Sequence, residues 1–258
     1  MSSMSRVMSS GALSLDPSEV AKFSAIADEW WDEKGKFGVL HKFNPVRISY
    51  IIEQVTAHFH RDPLIEKPLE GLRFLDIGCG GGLLSEPLAR KGAQIVAADP
   101  SEKNIKTAMV HAKENNLTID YRATTAEQLA IDGEVFDIVL NMEVIEHVND
   151  PQTFTKTCAS MVKPGGLMFM ATMNRTLKSF GLAIIGAEYV LGWMPKGTHQ
   201  WEKFIKPEEF KQWVEENGMQ QDGMSGVTFN PITSKWRRSS DTAVNYMVTC
   251  SKPKVYQN

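Results

Sequence analysis

Only three cysteines occur in the 258 residues, Cys79, Cys158 and Cys250, and no two form a C-x-x-C pair. Single scattered thiols exclude a disulfide framework and fit a reducing compartment. No apolar run approaches the about 20 residues that cross a bilayer. Positive charge is not in excess either. The net charge is −3, so no global basic field draws the chain to nucleic acid, although local basic patches remain open. Met1 to Leu15 lacks the apolar core of a secretory signal and carries one arginine, Arg6, too few for a mitochondrial presequence. Residues 1–15 read as a disordered tail. Internal repeats are missing, as is a second core. What remains, 42% hydrophobic and 23% charged residues, is ordinary for one α/β domain with additions.

The densest signal runs from Phe74 to Gly82, F-L-D-I-G-C-G-G-G. Leu72 to Ile77 predicts a short buried strand, Gly78 to Gly82 a turn, and Leu83 to Lys91 a helix. Strand, glycine turn and helix open the nucleotide site of a doubly wound sheet, where glycines let a ligand approach the backbone. A second apolar strand ends in Asp99, a residue type placed to accept hydrogen bonds from both ribose hydroxyls. A dinucleotide fingerprint would put Leu83 at its third small position. The spacing here is instead Gly78, Gly80, Gly82 with Asp76 ahead of it. It resembles motif I of class I S-adenosylmethionine (SAM) methyltransferases. A carboxylate near the turn suits an ammonium and repels a pyrophosphate. A ligand-free tight turn, a non-catalytic nucleotide module and an NAD oxidoreductase are the competing readings.

Two helices precede the first strand. Asp16-Pro17-Ser18-Glu19 predicts the start of one, with Val20, Phe23, Ile26, Ala27, Trp30 and Trp31 on its core-facing stripe. Lys34 to Gly38 ends it, and Asn44-Pro45 starts a second over Val46–Phe59. Residues 16–70 thus form a helical cap and linker, and residues 71–252 the main domain, with an insertion at about 175–206. Arg47, early in the second helix, is either a solvated arginine or a clamp for the cofactor carboxylate. Thr125-Ala126-Glu127 follows the third strand, where the turn either borders an adenine, through the Ala126 N–H or the Glu127 carboxylate, or merely caps a helix. Lys163-Pro164-Gly165-Gly166 predicts a tight turn into strand five, Leu167 to Thr172. Strands from about Met219 and from Ala243 complete a seven-stranded, mostly parallel sheet with an antiparallel C-terminal strand.

Strand four ends at Met142-Glu143-Val144-Ile145-Glu146-His147. Spacing of three and four puts Glu143, Glu146 and His147 on one face of a helix. His147 can act there as general base. Alternatively, the three residues can hold a divalent metal, or the carboxylates merely stabilise a helix N-terminus. The insertion is apolar and aromatic (Leu177, Phe180, Tyr189, Trp193) with Arg175, Lys178, Lys196 and Lys203 around it. Such a segment suits a membrane interface or a lid packed on the protein itself.

Taken together, F-S-A-I-A-D-E-W-W-D, N-P-V-R, L-D-I-G-C-G-G-G, D-P-S, M-E-V-I-E-H-V, N-R-T-x-K-S, G-T-H-Q-W and V-N-Y, spread from Phe23 to Tyr246, resemble the ubiquinone biosynthesis O-methyltransferases. The resemblance implies a Rossmann-like class I domain that moves a methyl group from SAM to ring hydroxyls of polyprenylated catechol or quinol intermediates, at two steps. It implies SAM contacts at Arg47, Gly78, Asp99 and Met142, joined by Asp76, Gly80 and Ala126 from the reading above. It also implies a Mg2+ ion at Glu143, Glu146 and His147. The partners implied are the prenylated substrate, an anionic membrane surface and other enzymes of the pathway. The implied place is the cytoplasmic side of a bacterial inner membrane in preference to the mitochondrial matrix. A SAM methyltransferase for another amphipathic acceptor is the remaining alternative.

Overall fold

The computed structural model describes residues 14–181, 200–230 and 235–254. Residues 1–13, most of the expected tail, and 182–199, most of the expected insertion, lie outside the described residues. The strands are β1 (Arg73–Ile77), β2 (Gln94–Asp99), β3 (Asp120–Ala123), β4 (Phe136–Met142), β5 (Val162–Met173), β6 (Gln220–Asn230), β7 (Lys235–Ser239) and β8 (Asn245–Ser251). They form one sheet in the order β3-β2-β1-β4-β5-β8-β6-β7. The first five are parallel, whereas β8 pairs antiparallel with β5 and β6.

Helices cover both faces, which is why the central strands are nearly continuous apolar runs. Phe74, Ile95, Leu140 and Phe169 pack under α2 (Gly38–His58), α3 (Ser85–Arg90) and α4 (Glu102–Glu114). Leu75, Val96, Val139 and Met168 pack under α5 (Ala126–Ile131), α6 (Pro151–Ser160) and α8 (Pro207–Glu216). A short α7 (Leu177–Ser179) opens the insertion. Strand order reverses between β1 and β4, so the crevice forms beyond their carboxyl ends.

Four expectations need correction. Among the described residues the sheet has eight strands, because β7 hydrogen-bonds to β6 as a hairpin partner. The first helix stops at Ala25, and its chain continues as a 3-10 turn, Ala27–Glu29, which turns Trp30 inward. The second helix begins at Gly38, seven residues before Pro45, which sits inside it. Pro45 has no N–H for the His41 carbonyl, but the turn ahead of it is anchored by buried Phe37 and Phe43. Finally, Lys163-Pro164-Gly165-Gly166 lies within β5 as an irregularity. Val162 pairs with Phe136 and Leu167 with Ile138, so the extra residues are accommodated there, with Gly165 at φ +79°.

Candidate active site

Gly78 to Gly82 leaves β1 at the centre of the crevice. The Gly80 N–H donates to Asp99 Oδ2 at 3.0 Å, which ties the glycine turn to the end of β2. Asp99 Oδ1 accepts from the Ser101 N–H at 2.8 Å and from Asn104 Nδ2 at 3.1 Å. Burial raises the Asp99 pKa, and these three donors pull against it. Gly80 has φ +54°, and a Cβ there would overlap the Trp30 indole. The group that approaches this glycine is therefore a side chain of the cap, a role the motif alone does not reveal. Leu83 faces the same way, packed with Trp30 and Phe37.

Behind the turn lies a buried charged group. Asp76, 3% exposed, accepts from Ser85 Oγ at 2.5 Å. Burial pushes its carboxyl up to about 6, with Ser85 and Arg47 opposing. Arg47, on α2, is buried and not solvated. Its Nη2 donates to Asn44 Oδ1 at 2.9 Å, while its Nε has no hydrogen-bond partner among the described residues. Burial draws its pKa down, and Glu143 and Asp76 hold it up.

Glu143 has φ +63°, an unusual backbone for a residue with a side chain. Its N–H donates to the Ala171 carbonyl at 2.8 Å, which holds the strand end in that bend. Burial raises the Glu143 pKa, the neighbouring Glu146 raises it further, and Arg47 works against both. The repulsion between the Glu143 and Glu146 carboxylates is what makes Glu146 raise its neighbour. Glu146 accepts from Thr172 Oγ1 at 2.9 Å.

His147 points elsewhere. Its Nδ1 lies 2.8 Å from Glu19 Oε2 on α1, and that bond is the main reason Glu19 titrates down at about 2. His147 and Glu146 are therefore held by different elements, α1 and β5. Among the described residues no group of three or more His, Cys, Asp or Glu side chains is placed to hold a metal ion. The expected three-residue Mg2+ set is not assembled, since His147 is bonded to Glu19 and Glu146 to Thr172.

One cavity is lined by Gly78, Asp99, Ala126, Glu143 and His147, and α1 closes it with Glu19, Val20 and Phe23. Arg47, Asp76, Gly80, Met142 and Glu146 are not on its wall, and Glu143 connects the two groups electrostatically. Ala126 is the first residue of α5, capped by Thr125. The Glu127 carboxylate, expected near an adenine, is taken by the N–H and hydroxyl of Ser14. Met142 is buried in the core beneath α2. Sequence reasoning did not single out Glu19, Asn44, Ser85, Asn104 or Thr172 as site residues. In the sequence Trp30 carries only the signal of a core residue. The sole signal for these cap contacts was the dense block of aromatic and acidic residues around Trp30.

This fold and site define a SAM-dependent methyltransferase of the α/β type. Residues 75–170 match the family model described as "Methyltransferase domain". A magnesium protoporphyrin IX methyltransferase of Synechocystis PCC 6803, solved with bound SAH, superposes with a TM-score of 0.65 at 20% identity, over 92% of this chain and 100% of that one. The ubiquinone biosynthesis O-methyltransferase of Parvibaculum lavamentivorans is 61% identical over 93% of this chain and 94% of its own. That of Brucella ovis is 59% identical over 93% and 96%. The chain belongs to the ubiquinone biosynthesis O-methyltransferase family.

Proposed function

We propose that the chain methylates ring hydroxyls of polyprenylated catechol or quinol intermediates of ubiquinone biosynthesis, at both O-methylation steps, with SAM as donor. The observation that carries this reading is the buried charge layout. Arg47, with a partnerless Nε, sits among Asp76 and Glu143 while Asp99 closes the far side of the turn. A guanidinium suits a carboxylate, and surplus buried acid suits an ammonium and a sulfonium. SAM carries all three, and its sulfonium supplies the methyl group.

In this reading Arg47 and Asp76 hold the amino-acid end, Gly78 and Asp99 the ribose end, and Ala126 borders the base, with Gly80 and Met142 shaping the site from behind its wall. A free phenol, with pKa near 10, is a weak nucleophile at neutral pH. Glu143 lines the cavity, and burial with the neighbouring Glu146 makes its carboxylate more basic; in its ionised form it is the group placed to take the hydroxyl proton. The protein otherwise orients and desolvates the reactants. Residues 16–70 serve as the cap, 71–252 as the catalytic domain.

A prenyl tail needs an apolar exit. Leu177 is 84% exposed and Phe180 41% exposed, at the start of the insertion. No helix among the described residues is long and apolar enough to cross a membrane, so the proposed association is with the surface of the inner membrane from the cytoplasmic side. Arg175, Lys178 and Lys203 pair with Glu209, Asp241 and Asp16, which leaves the apolar residues to carry the contact. The test is calorimetry with SAH followed by turnover on a prenylated catechol, a prenylated quinol and unrelated acceptors. Binding of SAH with turnover confined to the prenylated compounds supports the reading; turnover of unrelated acceptors alone refutes the substrate assignment.

A further inference from the structure

We infer that Asn104 is a positioning residue that aims the Asp99 carboxylate at the nucleoside ribose, held in place by the Trp30 indole. The inference rests on the SAM reading above and goes beyond it. A carboxylate has about four lone-pair directions. On Asp99 three are in use: Oδ1 takes the Ser101 N–H and Asn104 Nδ2, and Oδ2 takes the Gly80 N–H. One acceptor direction is left, on Oδ2, and it is the one open to the ribose.

The orientation of Asn104 follows from its partners. Trp30 Nε1 is only a donor, and it lies 2.9 Å from Asn104 Oδ1. The other amide atom, turned to Asp99, must then be the nitrogen. Asn104 is 1% exposed, and its own N–H donates to Ser101 Oγ at 3.2 Å. Trp30 in turn cannot swing away. It stacks on Phe37 at 3.8 Å with the rings 8° from parallel, and it fills the space beside Gly80 and Gly81. Cap, asparagine and ribose-binding acid thus form one rigid chain, and both Trp30 and Asn104 lie on the cavity wall with Asp99. Without the Asn104 donor, Asp99 keeps one backbone N–H on each oxygen, from Ser101 and Gly80, and loses the side-chain bond that sets the tilt of its carboxylate between them, which misdirects the open lone pair.

The experiment measures calorimetric affinity for SAH and for its 2′,3′-dideoxyribose analogue. The wild type is expected to prefer SAH by about 10- to 100-fold, the range for hydrogen bonds to a charged acceptor. In Asn104→Ala that preference should shrink to under about threefold, with KM for SAM up about tenfold or more and kcat within about threefold. Trp30→Phe, which keeps the stack and loses the N–H, should narrow the preference part of the way. Equal loss for both ligands in Asn104→Ala, or an unchanged preference in either variant, overturns the inference. Should Asn104→Ala not fold, Trp30→Phe decides alone. A wild type that binds no SAH refutes the SAM reading itself, an outcome distinct from unchanged preference.

Discussion

The Trp30 indole occupies the space that a methyl group on Gly80 would need, so the motif glycine and a tryptophan 50 positions away are packed as a pair. Gly80→Ala is expected to destabilise the protein by about 2–4 kcal/mol, from the overlap and the positive φ together. Trp30→Ala should relieve the overlap but not the backbone strain. Urea denaturation of both single variants and the double variant checks this. The double variant should lose clearly less than the sum, and strict additivity would show that the two do not meet.

Glu143 and His147 are expected to fail in different ways. Glu143→Gln should lower kcat by about 100-fold or more and leave SAH affinity within about threefold. His147→Ala should instead raise KM for SAM, by about tenfold, because it frees Glu19 on the cavity wall. Steady-state kinetics with parallel calorimetry separate the two. Near-normal turnover of Glu143→Gln would remove it as the proton acceptor.

Asp76 gives a pH signature. Its pKa is raised from 3.8 to about 6 by burial. A raised acid contributes stability that is complete below the unfolded pKa and lost as pH rises through the folded one. Ionised Asp76 therefore costs the ligand-free protein about 1–3 kcal/mol at pH 7.5. Asp76→Asn should be more stable than wild type at pH 7.5, and the two should converge near pH 4. SAM affinity should fall about tenfold or more in the same variant. Thermal unfolding across that range tests the sign, and a less stable Asp76→Asn at pH 7.5 contradicts it.

The central strands were legible because burial on both faces leaves few alternatives to continuous apolar runs. Gly78, Asp99 and the end of β4 were legible because a parallel sheet puts its ligands at strand ends. The helix break at Ile26 was not, since apolar residues continue at helical spacing through Trp31 while tertiary packing turns Trp30 onto Gly80. Nor was the separation of His147 from Glu146. Their spacing assumes a helix, but Glu143 adopts a left-handed backbone and only Ile145–His147 forms a 3-10 turn. Contacts such as Glu19 with His147, 128 positions apart, leave no local pattern.

The exposed apolar residues at the mouth of the insertion predict membrane behaviour. Leu177→Asp with Phe180→Asp should cut co-sedimentation with anionic phospholipid vesicles by about tenfold or more, since each buried side chain is worth about 1.5–3 kcal/mol. Circular dichroism should be unchanged. Unaltered co-sedimentation, there or on deletion of residues 180–194, would place the membrane contact elsewhere.

The most direct measurement follows an isotopically labelled methyl group from SAM in the presence of a prenylated catechol, with the product read by mass spectrometry. The account predicts one labelled methyl on a ring oxygen and one equivalent of SAH, with both signals lost in Arg47→Ala. Label on carbon or nitrogen, or no transfer by a protein that binds SAH, would contradict it.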